Sequence, residues 1–146
     1  MVTLSDVIFA MSKKSDIKNK IGFRLSGFKN RDLKDSLKSL SKIGYDGVEL
    51  CLEHPDLHPD NQARHTAEQI RDSLTQMDLE ISAVSFHGKR MDWEDKARIC
   101  RYGIELCDSL NVKVFITGSH IDLTSFNNMI HFTRDMCLLA ANSNVL

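Results

Sequence analysis

Several short apolar runs of the sequence end beside residues that can move a proton or bind a metal ion. One run contains Glu49 and is followed by Glu53 and His54. Two later runs are followed by His87 and His120. Carboxylates and imidazoles act as general acids and bases and are common ligands of divalent metals. The pattern therefore predicts a site where these strand-like runs end, provided that they lie side by side.

The first apolar run contains Arg24, which has two interpretations. Arg24 can form a structural ion pair with Glu49, or it can contact an anionic group of a ligand. Glu49 itself has an alternative interpretation as a solvated acid at a strand end. His120 has one as a loop histidine with no role, since loops hold many such residues.

The segment CLEHPDLHPD suggests a zinc site, because it contains Cys51, His54 and His58. Two histidines four residues apart share a face only on a helix. The two prolines of the segment disfavour a regular helix there. The remaining ligands of a tetrahedral site are also missing. We therefore do not predict structural zinc.

A strand followed by a helix recurs four times along the chain. Short apolar runs predict strands at residues 21–25, 46–50, 81–86 and 112–117. Each run is followed by a segment in which apolar residues recur at helical spacing. Val145 and Leu146 resemble the first residues of a fifth strand. Residues 1–20 lack the repeat, and we predict them as an N-terminal extension to one domain, 21–146.

The alternation of strands and helices predicts a parallel sheet, because parallel neighbours need a crossover that is usually a helix. Two architectures fit: an open doubly wound sheet, or half of a (β/α)8 barrel, which in full takes about 250 residues. The turn after the first strand, SGFKN, has no G-x-G-x-x-G pattern, so dinucleotide binding has little support. In both architectures ligands bind beyond the carboxyl ends of the strands, where the acids and histidines lie.

The composition is typical of a globular domain. The chain has 146 residues, enough for one hydrophobic core, and its net charge of −1 gives no electrostatic case for nucleic acid or an anionic membrane. No run is long enough to span a bilayer, and lysines follow the N-terminal apolar run instead of preceding it as in a secretory signal. Cys100 and Cys107 lie two turns apart on an apolar stripe, where reduced core thiols are expected. We predict a cytoplasmic protein with no membrane partner.

Three segments, taken in order, resemble the sugar phosphate isomerase/epimerase family, part of the xylose isomerase-like TIM-barrel superfamily that also contains endonuclease IV. They are LKDSLKSLSKIGYDGVEL, LEISAVSFHG and ARICRYGIELCDSLNVKVFITGS. They look like the first helix and second strand, the third strand, and the third helix with the fourth strand. The resemblance covers nearly the whole chain from Ile21, but only the first half of a family barrel. It implies an α/β fold, the N-terminal half of a TIM barrel.

The resemblance implies a metal-assisted proton transfer between neighbouring carbons of a sugar or polyol. The family holds a divalent metal (Mn, Mg, Co or Zn) on strands five to eight, which this chain lacks, so the resemblance predicts that the chain alone is inactive. What carries over is the substrate-contacting half. The catalytic residues would be Glu49 and His87, and the residues that bind substrate would be Arg24, Glu53, His54 and His120.

Two other function classes stay open. One is a metal-dependent phosphodiesterase of the endonuclease IV type, in which histidines ending strands three and four bind metal, a pattern that His87 and His120 match. The near-neutral charge disfavours such a nucleic-acid-binding enzyme. The other is a non-catalytic truncated barrel or binding module. The small-molecule partner would be a sugar or sugar phosphate. Open first and fourth strands also predict a protein partner, either a second copy in a homodimer or a missing C-terminal half.

Overall fold

The computed structural model describes residues 20–61, 64–88, 91–118 and 126–146, so nearly all of the predicted N-terminal extension lies outside the described residues. The strands are β1 (Gly22–Arg24), β2 (Gly47–Cys51), β3 (Glu80–Phe86) and β4 (Phe115–Thr117). The helices are α1 (Leu33–Ile43), α2 (Ala67–Gln76), α3 (Trp93–Leu110) and α4 (Phe126–Asn142). Short 3-10 turns, Leu25–Phe28 and Pro55–Leu57, follow β1 and β2. None of the described helices combines the length and apolar character that crossing a bilayer requires.

The four strands form one sheet in the order β1-β2-β3-β4, and every neighbouring pair is parallel. The order does not reverse, which excludes the doubly wound alternative and confirms the predicted half-barrel arrangement. β4 starts later than predicted because Val112, two residues past the end of α3, still donates its N–H to the Cys107 carbonyl of that helix.

Capping residues determine where the helices begin and end. Asp32 accepts a hydrogen bond from the Asp35 N–H at the start of α1, and Asp92 accepts one from the Asp95 N–H at the start of α3. α1 ends at Gly44, whose φ of 99° lies in the left-handed region that glycine adopts without steric cost. Each cap marks the residue at which the chain enters the helix after a strand.

One face of the sheet, here called the helix-covered face, forms the hydrophobic core. Alternate residues of a strand point to opposite faces, and on β2 Val48 and Leu50 are fully buried. On β4, Phe115 lies against α3 at Gly103, where an added Cβ would come within 2.3 Å of the ring. A glycine at this position therefore allows α3 to pack closely on the sheet.

The opposite face, here called the inner face, carries polar groups. The parallel register places Arg24 opposite Glu49 and Cys51 opposite Ser85. Ser85 donates a hydrogen bond to the Cys51 thiol at 3.4 Å, and burial raises the pKa of that thiol. Cys51 is therefore a protonated, inward-facing group and not a reactive thiolate.

The far edge of the sheet is β4, and Leu146 pairs with it. The Leu146 N–H donates to the Lys113 carbonyl at 2.6 Å, and the Phe115 N–H donates to the Leu146 carbonyl at 3.0 Å. These two bonds have the pattern of a parallel strand at its first residue. Beside them, Val114 and Ile116 are 37% and 38% exposed. This edge therefore presents apolar side chains that are partly exposed.

Candidate functional site

A cavity of about 720 Å³ opens at the carboxyl ends of β1, β2 and β3. Its wall contains residues that follow each of these strands, such as Ser26, Glu53 and His87. The wall is rich in groups that can be cationic: Arg24, Lys29, His58 and His87. Phe86 and Met91 supply apolar surface. A pocket with an apolar wall and a few convergent polar groups is the usual form of a small-molecule site.

Arg24 and Glu49 form an ion pair across β1 and β2. Arg24 Nε donates to Glu49 Oε1 at 2.8 Å, and the two side chains are 40% and 20% exposed. The Cys51 thiol lies 3.8 Å from the same carboxylate oxygen. Arg24 lines the cavity, whereas Glu49 does not. The ion pair is the structural interpretation of Arg24 considered above; the catalytic role of Glu49 stays a prediction.

Glu53 connects the loop after β2 to the end of β3. Its Oε1 accepts the backbone N–H of His87 at 2.7 Å. Its Oε2 is buried and has no hydrogen-bond partner among the described residues. A buried carboxylate oxygen without a partner is costly, so Glu53 Oε2 is an unsatisfied acceptor among the described residues.

His87 is the predicted catalytic residue that the structure places in the cavity wall. Its imidazole packs on Gly118 at the end of β4, where an added Cβ would lie 2.8 Å from Nδ1. Its carbonyl accepts a hydrogen bond from the Lys96 ammonium at 3.1 Å. Both polar groups of the His87 main chain are thus held, and the ring lies against a glycine that leaves room for it.

His54 does not line the cavity. His54 is fully buried, its Nδ1 accepts the Asp56 N–H at 3.2 Å, and its Nε2 has no partner among the described residues. It caps the short turn Pro55–Leu57, which explains why the side chain points away from solvent. A substrate-binding role for His54 stays a prediction. His120 lies outside the described residues.

Lys96 is the residue that the sequence interpretation missed. It lies on α3 with no exposed surface, and its Nζ donates to the carbonyls of His87 and Gly118. Nζ also lies 5.8 Å from the Trp93 ring centroid and 5.5 Å from that of Phe132. Burial lowers the pKa of Lys96. The signal was present in the sequence, because a lysine three residues after Trp93 interrupts the buried stripe of α3.

His58 and Lys29 were also absent from the predicted site residues, although both line the cavity. The His58 ring meets the Phe86 ring edge-on at 6.3 Å between centroids. His58 was considered above only as a zinc ligand. The structure places it instead in the wall of the cavity.

Among the described residues, three groups lie close enough together to hold a metal ion: Asp32, Asp56 and His65, with ligand atoms within 4.8 Å of one another. Both carboxylates already accept backbone N–H groups, that of Asp32 from Asp35 and that of Asp56 from Leu33. None of the three lines the cavity. No comparable group of three ligands surrounds His87 in the part of the chain that the structure describes.

Solved structures share this arrangement over most of the described sheet and helices. A xylose isomerase-like TIM-barrel protein from Mycobacterium smegmatis, solved in complex with magnesium, matches with a TM-score of 0.68 at 16% identity, over 86% of this chain and 53% of its own. The fold is that of the N-terminal half of a xylose isomerase-like TIM barrel. The half-barrel therefore spans about half the length of the structures it matches.

Two further matches show how varied the chemistry on this fold is. A probable 3-DHS dehydratase from Bacillus anthracis matches the half-barrel with a TM-score of 0.63 at 19% identity, over 87% of this chain and 50% of its own. D-psicose 3-epimerase from Clostridium cellulolyticum H10, solved with D-tagatose, matches with a TM-score of 0.62 at 13% identity, over 87% and 50%. No family model matches the sequence, and no curated protein matches it significantly.

Proposed function

We propose that the half-barrel is the substrate-contacting part of a sugar isomerase or epimerase, and that its cavity binds a sugar or sugar phosphate. The fold supports this proposal. One of the structures that the half-barrel matches, over half of that structure's own length, is an epimerase solved with D-tagatose, a ketohexose. The observation that carries the proposal is His87, which lines the cavity while Glu53 holds its main chain.

His87 is the group proposed to move the proton. Isomerisation and epimerisation begin with removal of a proton from the carbon beside a carbonyl, which leaves an enediolate. They end when a proton returns to the neighbouring carbon or to the opposite face of the same carbon. An imidazole can remove the proton and return it on the face that it occupies, whereas return to the opposite face needs a second acid. Glu49, proposed as the second catalytic group, is held as the ion-pair partner of Arg24.

Arg24 and Lys29 are the groups proposed to attract negative charge. Arg24 uses Nε for Glu49, and its guanidinium carries further donors. Both residues line the cavity, where donors to a phosphate or to the developing enediolate oxygen stabilise an anion.

A divalent metal would polarise the substrate carbonyl. The described residues of the cavity supply no group of three ligands near His87, and Asp32, Asp56 and His65 lie outside its wall. The proposal therefore assigns no metal-dependent step to this half of the barrel. It assigns the chain binding and proton transfer, and it includes a protein partner, either a second copy or a C-terminal half, that covers the β4 edge.

The test is to add D-tagatose, and separately a ketohexose phosphate, to the full 146-residue chain and to measure binding by NMR. We expect shifts of signals from Arg24, Glu53 and His87. Arg24→Gln and His87→Gln should each weaken binding by about tenfold, or ~1.4 kcal/mol. His65→Gln is the matched control outside the cavity and should leave affinity unchanged. Equal weakening by His65→Gln, or no binding of either ligand, would contradict the proposal; cleavage of abasic-site DNA would favour the phosphodiesterase instead.

A further inference from the structure

The main chain of His87 is held from both sides by charged side chains. Glu53 Oε1 accepts its N–H at 2.7 Å, and Lys96 Nζ donates to its carbonyl at 3.1 Å. These two side chains come from different elements, the loop after β2 and the helix α3. Hydrogen bonds to charged groups are stronger than neutral ones, so the peptide on each side of His87 is firmly placed.

Lys96 also reaches the next strand. The same ammonium donates to the carbonyl of Gly118, which directly follows β4. Gly118 is the residue on which the His87 imidazole packs, with Nδ1 2.8 Å from where a Cβ would lie. One ammonium therefore fixes both the backbone of His87 and the surface against which its ring rests.

The surroundings of Lys96 supply acceptors and aromatic faces to a buried ammonium. A lysine with no exposed surface is costly unless its donors are used. Two carbonyls accept from Nζ, and the faces of Trp93 and Phe132 lie within 5.8 Å of it. An apolar side chain in this position would fill the same space without that cost. It could not hold the ends of β3 and β4 together.

We propose that Lys96 is a positioning residue, which together with Glu53 fixes His87 at the cavity wall by joining the carboxyl ends of β3 and β4. The importance of that position for chemistry rests on the proposed function. The positioning itself does not, because it can be measured without a substrate.

The direct test is NMR of the histidine rings in Lys96→Met. Methionine retains most of the apolar volume and removes the donors. We expect the His87 ring signals to shift and broaden, and the His87 amide to exchange with solvent at least about tenfold faster. The His65 ring serves as an internal reference and should not move. Lys38→Met, the same change on the exposed face of α1, is the matched control and should leave all ring signals in place.

Gly118→Ala provides an independent displacement of the ring with Lys96 intact. It should move the His87 ring signals as Lys96→Met does. If Lys96→Met folds and leaves the His87 ring and amide unchanged while Gly118→Ala moves them, the proposal is wrong. Absence of sugar binding by the unaltered chain, with the His87 signals moving in Lys96→Met as expected, would instead count against the proposed function alone.

A measurement on the unaltered chain covers the case in which Lys96→Met does not fold. The Lys96 ammonium should give a slowly exchanging NMR signal, with scalar couplings across hydrogen bonds to the carbonyl carbons of His87 and Gly118. Detection of both couplings supports the proposal. A rapidly exchanging ammonium with neither coupling overturns it.

Discussion

On the helix-covered face of the sheet Val48 and Leu50 are fully buried, whereas on the inner face Arg24 and Glu49 meet in a partly exposed ion pair. The first face is stabilised by removal of apolar surface from water, which does not depend on exact partners. The second depends on register, because only the pairing of β1 with β2 brings these two charges together. The hydrophobic core and the charged pair beside the proposed site therefore lie on opposite sides of the same strands.

The largest expected effect is loss of a side chain from the helix-covered face. Leu50→Ala should lower the free energy of unfolding by about 2–5 kcal/mol, since it leaves a cavity in the core. Ile116→Ala, on the inner face and 38% exposed, should cost under ~1 kcal/mol. Urea denaturation followed by circular dichroism measures both. Equal losses would show that the inner face is packed as tightly as the helix-covered face.

The two faces also differ in how well the sequence predicts them. The strands and the half-barrel order follow from local periodicity, and all four strands lie near their predicted places. The contact between Glu53 and His87 joins residues 34 apart, and that between Lys96 and Gly118 joins residues 22 apart. Periodicity carries no information on such partners. The sequence predicted His87 as a site residue, but it did not predict the hydrogen bonds that join its main chain to Glu53 and Lys96.

His54 illustrates a second kind of contact that periodicity does not predict. Its position in a loop of acids and histidines suggested contact with substrate, which stays a prediction, whereas its role as the cap of the turn Pro55–Leu57 became visible only in the structure. Local backbone hydrogen bonding, not the type of residue, decides which way the side chain points.

Self-association tests whether the inner face and the β4 edge are covered in solution. Val114 and Ile116 lie beside the partly paired edge of β4. We expect dimers in sedimentation at high protein concentration, because open edges and exposed apolar side chains favour pairing. Ile116→Lys should weaken association by about tenfold or more, whereas Leu138→Lys, on an exposed position of α4, serves as the control. A monomer at all concentrations would leave a separate C-terminal half as the remaining proposed partner.

The pH dependence of stability tests the buried ammonium. Burial lowers the pKa of Lys96 in the folded chain. Between this lowered pKa and the ordinary pKa of lysine, the unfolded chain binds more protons, so the contribution of Lys96 to stability rises with pH in that window. Urea denaturation of the unaltered chain and of Lys96→Met, from neutral pH upward, should show the difference growing in favour of the unaltered chain. A difference that does not change with pH would mean that Lys96 titrates as it does in the unfolded chain.

The smallest expected effect is on the ion pair of the inner face. A double-mutant cycle of Arg24→Met and Glu49→Gln should give a coupling energy of about 0.2–1 kcal/mol, since Arg24 is 40% exposed and water screens the pair. Added salt should reduce the coupling. On the proposed function, the same two substitutions should matter more for binding, because Arg24 lines the cavity and pairs with Glu49. If Glu49→Gln weakens binding of a ketohexose phosphate as much as Arg24→Met does, then Glu49 acts on the ligand through Arg24. If it changes only the rate of proton exchange into a bound sugar, Glu49 acts on the substrate itself.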